Sequence, residues 1–265
     1  MAELQWGQRR QLLQFFVESI RSHPTWPVVI SEGDSWFSFP IHANLIDHLD
    51  DFTGRKMSLL RLERSSDEMV DMTTDAKLST LRGYLHRYKP HALLWSGGGN
   101  DVVGPELLKF IAPRGQTFDL QAALGTTALK KRIDEIRNAY QRVIAARDAS
   151  APDCLIFTHG YGRVIPSGRK AKLWGISVGP WIKPFLEAQG YRNRKEQQAI
   201  VDELLRRFNA ILDAFAGPKF IKCDVAAVIG PDEWNDEIHP TRKGFEDAAL
   251  IFLAALKTHL PAKFL

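Results

Sequence analysis

Five short apolar runs, each closed by glycine, serine or a charged residue, alternate along this chain with stretches whose apolar residues recur every three or four positions. The runs are 27–33, 56–63, 91–98, 153–160 and 219–226, and they read as strands buried on both faces. Between and around them, 6–23, 43–52, 67–88, 126–149, 194–216 and 241–260 have helical periodicity. In 126–149, for example, Ile133, Ile136, Tyr140, Val143 and Ile144 share one face, and 67–88 reads as two helices broken near Thr73 and Thr74. Such alternation leaves few architectures. A parallel strand can follow its neighbour only through a long crossover, and that crossover is almost always right-handed. The expectation is an α/β fold: a three-layer α/β/α sandwich around a flavodoxin-like, doubly wound, five-stranded parallel sheet.

The rest of the composition is permissive. With 265 residues there is enough chain for a substantial core, and neither a repeat nor a change of composition divides it, so a single domain over 1–265 is expected. The longest apolar stretch, Ala248 to Leu256, is too short to span a membrane, and the N-terminus has no secretory signal pattern; the default expectation is a cytoplasmic protein without an integral membrane segment. A net charge of +4 is too small to argue for nucleic acid as a partner, and no nucleic-acid module is present. Cys154 and Cys223 each sit in an apolar run and read as buried reduced thiols. His42 and His48 lack metal-ligand spacing, so neither a metal nor a cofactor is expected. Oligomeric state cannot be read from the sequence.

In a doubly wound sheet, ligands bind at the carboxyl ends of the strands. The first strand ends in Gly33-Asp34-Ser35-Trp36, and the second runs into Arg64-Ser65-Ser66-Asp67. The third ends in Gly97-Gly98-Gly99-Asn100-Asp101, and beyond the fifth lies Asp236-Glu237-Ile238-His239-Pro240. Two connections that leave the same edge, 101–125 and 160–193, are longer than a crossover needs.

The segments "GDSW" (33–36), "GGND" (98–101) and "DEIHP" (236–240) occur in the order found in the SGNH, or GDSL-type, ester hydrolases, which the chain resembles from 28 to about 256. The resemblance implies a metal-free serine hydrolase. Ser35 would be the nucleophile, His239 its base, and Asp236 the group that holds the imidazole and stabilises its cation. The oxyanion donors would be the backbone N–H of Ser35, a backbone N–H on the second-strand loop, and the side-chain amide of Asn100. The second donor in that family is usually a glycine; here it falls on Ser66, or on its neighbour Ser65, where a positive φ would be strained.

Asp34 and Asp101 read as hydrogen-bonding partners of loop amides. Gly99 opens the loop around Asn100, and His159, with Tyr161, ends the fourth strand close enough to line a pocket. Trp36, Phe37 and Phe39 read equally as packing beneath the loop or as an apolar wall for substrate. Within 160–193, Arg163, Arg169, Lys170, Lys172 and Lys183 mix with Trp174, Trp181 and Phe185, as a solvated face or a lid for anionic esters. The expected partner is a small-molecule, lipid or glycan ester. A lysophospholipase, thioesterase or carbohydrate deacetylase would use the same machinery, and a non-catalytic small-ligand-binding module is the reading of a different class.

Overall fold

A computed structural model describes residues 6–173 and 175–261. Five strands form one parallel sheet: β1 (Val28–Glu32), β2 (Ser58–Arg61), β3 (Ala92–Trp95), β4 (Leu155–His159) and β7 (Phe220–Cys223). Their order across the sheet is β2-β1-β3-β4-β7. The register pairs Ile30 with Leu60 and with Leu93, and Phe157 with Leu94 and Ile221. Val29, Ile30 and all of β3 are buried, as strands covered on both faces must be.

Helices cover the sheet as the crossovers require. α2 (Leu45–Phe52) packs with α10 (Arg242–His259). α4 (Asp75–Tyr88), α7 (Thr127–Ser150) and α9 (Arg194–Phe215) form a second group, α7 contacting both of the others. The expected break in 67–88 is present: α3 (Met69–Met72) ends at Thr73, and α4 starts after Thr74. α1 (Trp6–Ser22) packs on β2. This is the three-layer α/β/α architecture that the alternation predicts. No described helix is long and apolar enough to cross a membrane.

The direction of travel reverses between β1 and β3: the chain leaves β1 for β2 on one side and returns to β3 on the other. That switch point opens a crevice at the carboxyl ends of β1 and β3. The two long connections leave this edge and carry short elements of their own. Residues 101–125 form single turns, among them α5 (Leu107–Phe110) and α6 (Leu120–Ala123). Residues 160–193 form an antiparallel hairpin, β5 (Ala171–Leu173) with β6 (Ile176–Val178), then α8 (Lys183–Ala188). Trp174 lies outside the described residues.

Candidate active site

The turn after β1 is built on close approach. A Cβ at Gly33 would lie 2.7 Å from Ser96 Cβ, so only glycine lets the end of β1 sit against the end of β3. Asp34 follows, buried, with its carboxylate accepting from Trp36 N–H (3.0 Å), the Ser96 hydroxyl (2.7 Å) and the Tyr161 hydroxyl (2.5 Å). The Tyr161 oxygen also accepts from Gly99 N–H at 2.9 Å. Asp34 thus ties the loops after β1, β3 and β4 to one another and fixes the backbone on either side of Ser35. Burial, and then the negative charge of Asp34, push the Tyr161 hydroxyl well above its ordinary value, so it remains a donor.

The C-terminal segment brings the imidazole in. Thr241 caps α10 through Gly244 N–H, and the turn just before it carries Asp236 and His239. Asp236 Oδ1 accepts from the N–H groups of Ile238 (2.9 Å) and His239 (2.8 Å), and Oδ2 accepts from His239 Nδ1 at 2.7 Å. Burial works to raise the Asp236 carboxyl, but the His239 ring and these two N–H groups outweigh it and leave it below its ordinary value. An ionised Asp236 takes the Nδ1 proton bond, so Nε2 offers its lone pair, and the Ser35 hydroxyl donates to it at 2.8 Å. Ser35 and His239 are 204 residues apart, and both are buried. The Phe39 ring stacks on His239 with centroids 4.5 Å apart, and Trp36 donates its indole N–H to Ile238 O at 3.1 Å.

Asn100 stands on the opposite wall. Its amide donates to Asp67 O at 3.0 Å and to Ser65 O at 3.4 Å, while its side chain lines the same cavity as Ser35. The Ser65–Ser66 turn therefore faces Asn100 from a second cleft, and neither serine lines the Ser35 cavity. The strain foreseen there is absent: Arg55 and Lys89 are the non-glycine residues with positive φ among the described residues, and neither serine is one of them. Asp101 accepts from Met69 N–H (2.6 Å) and Val70 N–H (3.3 Å), the loop-holding role expected of it. Burial raises its carboxyl to about 6.

The cavity that opens from Ser35 is narrow, with a volume of about 50 Å³, and its walls are almost wholly apolar. α9 supplies Val201, Leu204, Leu205 and Phe208; the insertion supplies Val164, Ile182 and Leu186. The sequence marks the α9 residues only as part of a helical apolar stripe, and nothing in that stripe separates core from pocket. Trp36 is 2% exposed and packed in the core, and it is also among the residues that line the cavity. Gly99 also lines it. Gly98 has φ +108° with Phe208 directly against it, so a side chain there would be strained and would clash.

His159 is a correction. It does not line the cavity; it lies fully buried beneath it, stacked on Trp36, with Nδ1 against Gly160 O (2.9 Å) and Nε2 against Ser96 Oγ (2.9 Å). Burial holds its ring below the ordinary histidine value. A strand-end position in the sequence cannot distinguish a side chain above the sheet edge from one tucked below it. The basic residues of the insertion also stay outside the cavity: Arg163 faces Asp202 (3.7 Å), Arg169 donates to Trp234 O (2.5 Å), Lys183 faces Glu187 (3.8 Å), and Lys170 and Lys172 are exposed. Cys154 and Cys223 are free and buried, with burial raising both thiols to about 12. Among the described residues no group of His, Cys, Asp and Glu is placed to hold a metal ion.

The sequence matches no protein-family model and no curated protein. Its fold recurs among solved structures. A lipase from a goat rumen metagenome aligns over 86% of this chain and 97% of its own, at 14% identity and a TM-score of 0.56. A carbohydrate esterase of family 3 from Talaromyces cellulolyticus aligns over 88% and 97%, at 15% identity and a TM-score of 0.51. A phospholipase A1 from Streptomyces albidoflavus NA297 aligns over 89% and 100%, at 14% identity and a TM-score of 0.51. The likeness is one of fold: the same layered α/β architecture is shared with this lipase, this carbohydrate esterase and this phospholipase.

Proposed function

We propose that this protein is a serine ester hydrolase, folded as one catalytic domain, that cleaves carboxylic esters through an acyl-enzyme on Ser35. One observation carries the reading: the unbroken hydrogen-bond chain Ser35 Oγ, His239 Nε2, His239 Nδ1, Asp236 Oδ2 at the mouth of an apolar cavity. Ser35 Oγ attacks the ester carbonyl as its proton passes to Nε2, and the Asp236 carboxylate stabilises the imidazolium. The tetrahedral oxygen takes its donors from Ser35 N–H and the Asn100 amide, whose 3.4 Å contact to Ser65 O is the one most readily exchanged for an oxyanion. No donor is assigned to the Ser65–Ser66 turn, which lines the second cleft and not this cavity. The imidazolium then protonates the leaving alkoxide, and the alcohol departs. Water, deprotonated by the same ring, attacks the acyl-enzyme and releases the acid together with free Ser35.

The cavity assigns the two halves of the ester. The leaving alcohol must reach Nε2 to be protonated, and His239 is not part of the cavity wall. The apolar cavity therefore takes the acyl group, and its aliphatic walls favour a hydrocarbon chain longer than acetyl. This argues for an acyl-chain esterase over a carbohydrate deacetylase. A fluorophosphonate probe is expected to label the wild type and not Ser35→Ala. An equal signal from both proteins, or no label on either with intact fold, defeats the assignment and favours a ligand-binding role for the cavity.

A further inference from the structure

Glu237 lies between the two residues proposed to act with Ser35, yet it takes no part in the chain to that serine. It is fully buried, and both of its oxygens accept from the backbone of the 160–193 insertion. Oε1 takes the N–H groups of Gly168 (2.8 Å) and Lys183 (3.1 Å); Oε2 takes those of Trp181 (2.5 Å) and Ile182 (2.7 Å). Four amides from two separate stretches of the insertion thus converge on one side chain. Only an ionised carboxylate offers acceptor sites for all four. From this same backbone Ile182 and Leu186 reach the cavity wall, and Ile238, next to Glu237, reaches it too. One carboxylate therefore joins the wall of the cavity to the loop that carries His239.

We propose that Glu237 is a specificity-determining positioning residue: it clamps the insertion to the His239 loop, so that Ile182 and Leu186 close the acyl cavity at a fixed distance from Ser35. The proposal rests on the hydrolase reading for its kinetic consequence, but the clamp itself is a statement about the fold. In Glu237→Gln the side-chain NH₂ meets backbone N–H groups where an acceptor stood, and two of the four amides lose their partner. The start of α8 is released while Asp236 and His239 keep their own hydrogen bonds. A long acyl chain, which needs the wall, loses contact; an acetyl group, which does not reach it, is unaffected.

The test is steady-state hydrolysis of p-nitrophenyl acetate and p-nitrophenyl octanoate by wild type, Glu237→Gln and Glu237→Asp, with amide hydrogen exchange measured on each. For Glu237→Gln, kcat/KM for the octanoate falls by about tenfold or more, mainly through KM. The acetate parameters stay within about twofold of wild type. Glu237→Asp, which keeps the carboxylate, recovers part of the octanoate loss. Exchange in 181–188 rises in Glu237→Gln and less in Glu237→Asp. An equal loss on both esters, or an octanoate KM that does not change, overturns the specificity role. Unchanged exchange in 181–188 overturns the clamp. If the wild type cleaves neither ester, the hydrolase reading fails, and the exchange data still decide whether Glu237 holds the insertion.

Discussion

Two clefts open at the carboxyl ends of the strands, and β1 with the loops around it separates them. One holds Ser35 and is walled by aliphatic side chains from α9 and the insertion. The other gathers a charged cluster, Glu32, Arg61, Glu63, Asp67 and Lys77, around the ends of β1 and β2, beside apolar residues such as Leu12, Leu13, Leu81 and Tyr84. There Glu63 accepts from Ser31 (2.7 Å) and Arg61 (2.5 Å), and Lys77 donates to Asp67 (2.9 Å). Burial, and then the neighbouring Glu63 and Asp67, raise Glu32 well above its ordinary value. Asn100 belongs to both clefts, lining the first and donating to two carbonyls of the second. The contrast teaches a division of labour. An apolar cavity gains from taking in an apolar group, whereas in the second cleft Arg61 pairs with Glu63 and Lys77 with Asp67, whose carbonyl in turn accepts from Asn100.

If that division is right, the two clefts respond to mutation in opposite ways. The largest effect is expected at the hydroxyl that opens into the apolar side. Ser35→Ala, and likewise His239→Ala, should lower kcat for p-nitrophenyl acetate by about four to six orders of magnitude with circular dichroism unchanged. Residual turnover near wild type would remove the apolar cleft's claim to chemistry. Next comes the shared residue: Asn100→Ala should lower kcat about 100- to 1000-fold with little change in KM, because an oxyanion donor serves the transition state. A change confined to KM would make Asn100 a substrate contact instead.

Within the cavity, Leu205→Trp should raise KM for the octanoate ester about tenfold or more while sparing the acetate, since Leu205 is a half-buried wall residue with room to be filled. Equal effects on both esters would mean that the acyl chain lies elsewhere. A smaller effect is expected from Asp101, behind Asn100. Its native carboxyl titrates at about 6 against 3.8 for the ordinary group, so the native state takes up a proton before the unfolded chain does. This contribution to stability is present at low pH and lost as pH rises through about 6. Wild type should therefore gain about 1 kcal/mol over Asp101→Asn between pH 7 and pH 5, read from urea unfolding. A parallel pH dependence of the two proteins would exclude it. The smallest effect belongs to the charged cleft: Lys77→Ala, which breaks a partly exposed pair, should cost no more than about 1 kcal/mol and leave hydrolysis within about twofold. A large loss of activity would give that cleft a role in turnover.

Much of this was legible in the residues. The five runs become the five strands of the sheet, each trimmed at its ends, and the break at Thr73 and Thr74 falls where the apolar period slips. Ser35, Asn100, Asp236 and His239 stand at strand ends or just before a helix, but their roles are named from the resemblance of three short motifs, in order, to one hydrolase family. The lining of the apolar cavity could not be named from the sequence, because Leu204 and Phe208 follow the same helical period as residues that only pack. Nor could Glu237: a glutamate among polar neighbours looks solvated until the insertion folds over it.

The sequence by itself determined the layers, the strand order's sense and the edge on which reactive groups collect, since period, crossover handedness and turn residues are local properties. Tertiary structure alone decided which faces of those groups meet. It set Ser35 within hydrogen-bond reach of a ring 204 positions away, sent His159 beneath the sheet edge and four backbone amides onto Glu237. The physical reason is that such contacts depend on the relative placement of segments distant in the chain, which packing of the whole core fixes and no local pattern encodes.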